Sequence, residues 1–281
     1  MNDLPIHEQK EIDRVNASGR RPVVFVHGLW LLPSSWDAWR GVFEENGYST
    51  IAPGWPDDPE TVEEAAQHPE VFAHKSIKQI TGRFVDVIGR IKIPPVIIGH
   101  SFGGLIALQL AGKGLASASI ALSPAPFRGV LPLPVSALKA SFPVLSNPAN
   151  YQRAVPLTFE QFRFAFANVV GEDEAKALYA RFAVPGSGVP LFQAATANLN
   201  PWTEAQVDST NPKRGPLLLV AAEKDNTVPP AITNAAYERE KRNPGITELQ
   251  EMGNRGHSLT IDAGWRDVAA VALAFAKQHA T

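Results

Sequence analysis

Four short stretches carry residues that could do chemistry together. In "PPVIIGHSFGGL" (94–105), Ser101 sits in Gly99-His100-Ser101-Phe102-Gly103, a G-x-S-x-G arrangement between an apolar run and a helical pattern. A serine hydroxyl is a poor nucleophile until a neighbouring imidazole accepts its proton. That imidazole in turn needs a carboxylate to fix its tautomer and stabilise the imidazolium. Asp225 in "LLLVAAEKDNTVPP" and His257 in "EMGNRGHSLTID" supply these two types. The chain order Ser, Asp, His is one that strand-turn-helix nucleophile sites use. Glu223, two residues before Asp225, is the alternative acid. The fourth stretch, "VFVHGLW", turns the chain at His27-Gly28, so the backbone N–H of Leu29 can join that of Phe102 in an oxyanion hole. The chemistry these residues could do is acyl transfer through a covalent serine intermediate.

Such a constellation needs strands that end in one crevice. Short apolar runs alternate with helical patterns along the chain, which is the signature of a parallel sheet with crossover helices. Strands are expected in "RPVVFVHG" (21–28), "YSTIAPGWP" (48–56), "PPVIIG" (94–99), "SASIALSPAP" (117–126), "GPLLLVAAEKD" (215–225) and "ITELQEM" (246–252). Helices are expected over 34–47, where Trp36, Trp39 and Phe43 recur at helical spacing, and over 76–91 through Ile77, Ile80, Phe84 and Ile88. The nearly all-apolar "SFGGLIALQLAG" after Ser101 reads as a helix buried against the sheet. Two more helices, over 231–242 and 261–278, close the chain. Asp225 and His257 then both follow strands, at the carboxyl end where open α/β sheets place their ligands.

Between the fourth and fifth runs lies a long stretch without a sheet strand, proline-rich early and helical later. Thr158 and Gln161 form a capping box opening "TFEQFRFAFANVV", with Phe159, Phe162 and Phe166 on one face. This is the pattern of an inserted cap, and the expected organisation is core over 1–126, cap over 127–213 and core again over 214–281. Trp30 and Trp55, each following a strand end, are expected to line the pocket. Leu131, Leu133, Phe159 and Phe162 are the expected roof, although the aromatic face of 159–166 also fits the interior of the cap itself. His100 is assigned a packing role beside the nucleophile and His27 a role in steadying the oxyanion loop. His68 and His74 lack the further ligands a zinc site requires. Arg255, beside His257, is the one basic residue of the motif loops placed to hold a carboxylate, and it reads equally well as a surface residue.

A formal charge of -2, with 44% hydrophobic and 19% charged residues among 281, gives no field that would gather nucleic acid or an anionic membrane. The absence of cysteine removes thiol nucleophiles and thiolate metal sites. The polar, acid-containing start "MNDLPIHEQKEIDRVNASGR" lacks the pattern of a signal peptide, and a cytoplasmic location is expected.

At these residues the sequence resembles the α/β-hydrolase superfamily over essentially residues 20–281, carried by "VFVHG", "GHSFGG", "EKDNTVP" and "RGHSL". The resemblance implies Ser101 as nucleophile, Asp225 as acid, His257 as base, and Leu29 with Phe102 at the oxyanion hole. It also implies an α/β fold: a mainly parallel six-stranded sheet, flanking helices and an inserted, mostly helical cap. Too few residues precede the first strand for the antiparallel edge hairpin with which many members begin, so the core is expected to be all parallel. "HGLWLLPSSWDAW" and "IAPGWPDDPETVEEA" are further similar to bacterial esterases, including ones carried on resistance integrons, some of whose relatives open macrolide lactones. The function expected is hydrolysis of a bulky, apolar ester or lactone, with a small-molecule substrate as partner and no cofactor or metal. Amide hydrolysis, hydroxynitrile cleavage or a non-catalytic receptor on the same fold are the alternatives.

Overall fold

The computed structural model describes residues 4–280. Its strands are β1 (Pro22–Val26), β2 (Ser49–Ile51), β3 (Val96–His100), β4 (Ala118–Leu122), β5 (Ala154–Val155), β6 (Gly186–Ser187), β7 (Leu217–Ala222) and β8 (Thr247–Met252). Six of them form one sheet in the order β2-β1-β3-β4-β7-β8, with every neighbouring pair parallel. The chain runs outward from β1 to β2 and returns to the other side of β1 as β3. The switch point therefore lies between β1 and β3, where an open α/β sheet leaves its crevice. The carboxyl ends of these two strands carry His27-Gly28-Leu29 and Ser101.

Burial on both faces explains why β1, β7 and β3 up to Gly99 read as unbroken apolar runs, and β4 as one interrupted only by Ser119. Alternate side chains serve opposite layers. Val24, Val26, Ile97 and Leu219 pack toward the helices Ile77–Ile88, Phe102–Gly112 and Pro230–Glu240. Val23, Phe25, Ile98 and Val220 pack toward Asp37–Glu45 and Trp265–His279. On that second face the Phe25 ring stacks on Trp36 at 5.0 Å, and Trp36 meets Trp39 edge-on at 5.1 Å. β8 alternates between half-buried and exposed residues, as an edge strand does.

The other edge, β2, is fully buried. It is covered by a helix the sequence reading does not anticipate, Ile6–Ser18, whose Arg14 donates to the Thr50 carbonyl at 2.5 Å. That helix buries only Glu8, Ile12 and Val15, a stripe too narrow to stand out in the sequence, and ends on Gly19 in the left-handed region.

Between β4 and β7 the chain forms the inserted cap: helices Val135–Leu145, Phe159–Ala165, Glu172–Phe182 and Gly188–Ala195, with β5 and β6 paired as an antiparallel ribbon. The capping box at Thr158 and Gln161 is formed, but its helix stops at Ala165 rather than running on to 170.

Where the chain returns to the sheet, Arg214 and Glu240 are buried together, with side chains 1% and 0% exposed. The guanidinium donates to Glu240 Oε2 at 2.9 Å, to the Ile246 carbonyl at 2.9 Å and to Thr247 Oγ1 at 2.7 Å. One residue thus ties the start of β7, the helix Pro230–Glu240 and the start of β8. Replacing Arg214 by Met leaves Glu240 buried without its cation, an expected cost of about 3–5 kcal/mol. The check is the urea midpoint, which should fall with the slope of the transition unchanged.

Candidate active site

Ser101 joins β3 to the helix Phe102–Gly112 with φ 57° and ψ -120°, a conformation L-residues avoid. Strain of this kind costs on the order of 1–3 kcal/mol and persists only where the surroundings over-determine it. Here the Ser101 N–H donates to the Leu122 carbonyl at 3.0 Å, and its own carbonyl accepts from Leu105 and Ala125 at 3.1 and 2.9 Å. The flanking glycines are needed for space. A Cβ on Gly99 would stand 2.0 Å from the Gly103 carbonyl oxygen, and one on Gly103 would stand 2.1 Å from that of Val26. Turn, helix and β1 therefore touch backbone to backbone, and Ser101 projects at the strand end.

Asp225 follows β7 and His257 follows β8. His257 Nδ1 donates to Asp225 Oδ2 at 2.7 Å, both side chains being wholly buried. The other carboxylate oxygen accepts the N–H groups of Thr227 and Val228, each at 2.8 Å. Glu223 is exposed instead and accepts the Asn254 N–H at 2.6 Å. Both loops are fastened to the cap through the end of the helix Phe159–Ala165, where a helix leaves carbonyls without internal partners. Phe164 O accepts from Asn226 Nδ2 at 2.9 Å, Ala165 O from Thr227 Oγ1 at 2.7 Å, and Phe166 O from the Ser258 N–H at 2.9 Å.

This attachment brings in a residue that the sequence reading treats only as part of an aromatic face. The Phe166 ring meets the His257 imidazole edge-on at 4.8 Å and stacks on Phe162 at 5.1 Å. Phe162 and Phe159 pack against Tyr179 within the cap, at 5.4 and 5.8 Å, so Phe166 is the ring that touches the histidine. The expectation that Leu131 and Leu133 roof the site requires correction: they are 75% and 68% exposed. The proline-rich segment runs without helix or strand there, and Val130 is the residue turned inward. Trp30 and Trp55 are both buried, the first against Phe166 edge-on at 6.2 Å, the second stacked on His27 at 5.0 Å. Trp55 also lines a cleft of about 1050 Å³ between the helix Ile6–Ser18, the 54–60 loop and the helix Ile77–Ile88, whose walls include neither Ser101 nor His257. Arg255 forms an ion pair with Asp262. Ser101 itself is only 5% exposed, so the cap closes over the strand ends.

His100 lies next to this pair, its ring 4.6 Å from that of His257. Burial, and then the charge that His257 can carry, push its pKa well below the ordinary histidine value. As pH falls through about 6.5 the unfolded chain takes up a proton at this position that the folded chain refuses, so stability is lost on acidification. The loss from this group amounts to at most about 1.4 kcal/mol per pH unit. His100→Gln should show a shallower decline than the unsubstituted chain when urea midpoints are compared between pH 7 and pH 5.

Solved structures of similar architecture include a monoacylglycerol lipase from Paleococcus ferrophilus, 18% identical, with 92% of this chain and 94% of that chain covered and a TM-score of 0.62. A pyrethroid hydrolase from Sphingobium faniae is 19% identical, with 92% and 97% covered and a TM-score of 0.62. A methylesterase from Arabidopsis is 15% identical, with 92% and 99% covered and a TM-score of 0.62. Likeness at such identities is one of fold. No curated protein sequence matches the chain. The model of the Alpha/beta hydrolase family matches residues 23–271, from β1 past the His257 loop and well into the last helix, and the chain belongs to that family.

Proposed function

We propose that this chain is a serine hydrolase that cleaves an uncharged carboxylic ester or lactone through an acyl-enzyme. One observation carries the reading: His257 holds Asp225 through Nδ1 while its Nε2, the nitrogen that could take a serine proton, is buried without a hydrogen-bond partner among the described residues. In this reaction Ser101 Oγ bonds to the acyl carbon and its proton passes to His257, whose positive charge Asp225 stabilises. The N–H groups of Leu29 and Phe102 bind the oxyanion. Collapse expels the alkoxide, which takes the proton from His257; in a lactone it stays tethered to the acyl group. Water then gives a proton to His257 and bonds to the acyl carbon, the bond from that carbon to Ser101 Oγ breaks, and Ser101 takes the proton back from His257 as the acid leaves.

The substrate class rests on the surroundings of His257. Phe166 and Trp30 give the site an apolar wall, and Arg255 is occupied by Asp262 and offers no cation to a substrate carboxylate. The names of the structural neighbours, a lipase, a pyrethroid hydrolase and a methylesterase, support the ester-hydrolase reading. Within this class a macrolide lactone is the specific substrate we propose, on the resemblance of the 27–39 and 51–65 segments to integron-carried esterases. Because Ser101 is covered, substrate enters when the cap segment bearing Phe166 moves aside.

A fluorophosphonate should modify Ser101 and no other residue, and Ser101→Ala and His257→Ala should each abolish p-nitrophenyl acetate turnover. Asp225→Asn should lower kcat by roughly 10⁴ with the fold retained, since the amide disturbs the tautomer and the charge. Absence of labelling refutes the serine reading, and labelling without turnover of esters, lactones or amides favours a receptor. For the specific substrate, mass spectrometry should find one water added to a macrolide in a reaction that requires Ser101. Intact macrolides beside hydrolysed p-nitrophenyl esters leave only the general esterase.

A further inference from the structure

Behind the oxyanion loop lies a buried group of charges that the proposed reaction does not use. His27 Nδ1 lies 3.0 Å from the Gly28 carbonyl, and because a carbonyl only accepts, this nitrogen is the donor. Gly28 C=O and Leu29 N–H belong to one peptide, and the described residues contain no cis peptide bond. In a trans peptide the two groups point in opposite directions. Holding the carbonyl toward the His27 ring therefore turns the Leu29 N–H away from it. Gly28 in turn packs on the nucleophile, where a Cβ would stand 3.0 Å from Ser101 Cβ.

The His27 ring is held by two neighbours, and the second of them is itself held by Lys75. Trp55 stacks on its face at 5.0 Å. Asp58 Oδ2 lies 3.0 Å from Nε2, within ion-pair range though off the line of a straight hydrogen bond, and also accepts the Trp55 N–H at 2.9 Å. Lys75 Nζ contacts Asp58 Oδ1 at 2.5 Å and lies 4.9 Å from the centre of the Phe72 ring. The side chains of His27, Asp58 and Lys75 are all buried. Lys75 is tied to the cap, since its N–H donates to Ser187 Oγ on β6 at 3.2 Å and its carbonyl accepts from that hydroxyl at 3.3 Å.

The opposite side of Leu29 is held by the same ribbon. Trp30, in the left-handed region at φ 65°, accepts the Val184 N–H on its carbonyl at 3.1 Å and donates its indole N–H to Val155 O on β5 at 2.9 Å. Gly186 on β6 packs so closely that a Cβ would stand 2.8 Å from Trp30 Nε1 and 2.9 Å from Leu29 Cγ. Both anchors of the Leu29 peptide thus end on β5–β6.

We propose that Lys75 and Asp58 are positioning residues that, through His27, aim the Leu29 N–H at the oxyanion, and that seating of the β5–β6 ribbon sets this donor. The proposal rests on the serine-hydrolase reading. An ion pair that served only stability would leave transition-state binding unchanged once the protein is folded. Lys75→Met and Asp58→Asn are therefore compared with Lys75→Arg in the full chain, with folding checked by circular dichroism. The readouts are kcat and KM for p-nitrophenyl acetate, and Ki for an aryl trifluoromethyl ketone. Serine Oγ adds to that ketone carbon, its proton moves to His257 and the ketone oxygen becomes an oxyanion.

Loss of a whole oxyanion donor costs about 10²–10³ in kcat, so a misdirected one is expected to cost about 10- to 100-fold. KM should change little, Ki should rise by the factor lost from kcat/KM, and Lys75→Arg should recover most of the loss. If Lys75→Met and Asp58→Asn do not fold, Ser187→Ala, which frees Lys75 from the ribbon and spares the ion pair, should show the same parallel change at smaller size. Folded variants that keep the original kcat and Ki, that change KM alone, or that lose kcat without losing affinity for the ketone overturn the inference and leave the hydrolase reading intact. An unsubstituted chain that neither turns over the ester nor binds the ketone overturns the hydrolase reading, and this inference with it.

Discussion

The contact between Asp225 and His257 sets the terms for the rest of the structure. A carboxylate wholly removed from water is costly unless each oxygen is hydrogen-bonded. Asp225 meets this demand with the His257 imidazole on one oxygen and the N–H groups of Thr227 and Val228 on the other. Accepting those two N–H groups curls the loop after β7 into a tight turn. That turn presents Asn226 and Thr227 outward, where they meet the open carbonyls at the end of the helix Phe159–Ala165. Satisfying one buried charge and satisfying one helix terminus are thus the same event. It docks the cap and carries Phe166 onto the imidazole.

The Ser101 side of the site follows a different principle. Ser101 is held by backbone crowding, with glycines letting β3, the helix after it and the end of β1 touch directly. Such contacts are stiff because no side chain intervenes to rearrange. The parallel sheet makes them available: the switch point between β1 and β3 leaves their carboxyl ends adjacent while the connections depart to opposite sides. The two halves of the site are therefore positioned independently, one by strained main chain and the other by a hydrogen-bonded loop pair, and the cap bridges them through Phe166 and Trp30, which meet edge-on.

Much of this architecture is legible in the residues. "VVFV", "VIIG" and "LLLVAA" are unbroken apolar runs because parallel strands bury both faces, and each ends where a motif residue begins. The Trp36, Trp39 and Phe43 spacing marks a helix face because those rings must reach one side of the sheet. The helix Ile6–Ser18 escapes such reading because it covers an edge, for which Ile12 and Val15 suffice. Leu131 and Leu133 mislead for the opposite reason. They are apolar and lie in the cap, but only the path of the chain through Val130 decides which side of that segment faces inward.

By itself the sequence determines which residue types can react, their order along the chain, and that Ser101, Asp225 and His257 each follow a strand. These are local properties, set by composition, by unbroken apolar runs and by a period of 3.6 residues. Which acid meets the histidine is decided by the tertiary structure, since Asp225 and Glu223 lie on the same loop and differ only in where burial and hydrogen-bond donors await them. The same holds for Asp58 and Lys75, which sit in an acidic, proline-punctuated connection whose residues carry no local mark of burial. In the folded chain they are buried beneath the loop of His27. A charged side chain can leave water only when its counter-charge and donors arrive with it, and that arrival depends on segments far apart in sequence packing together.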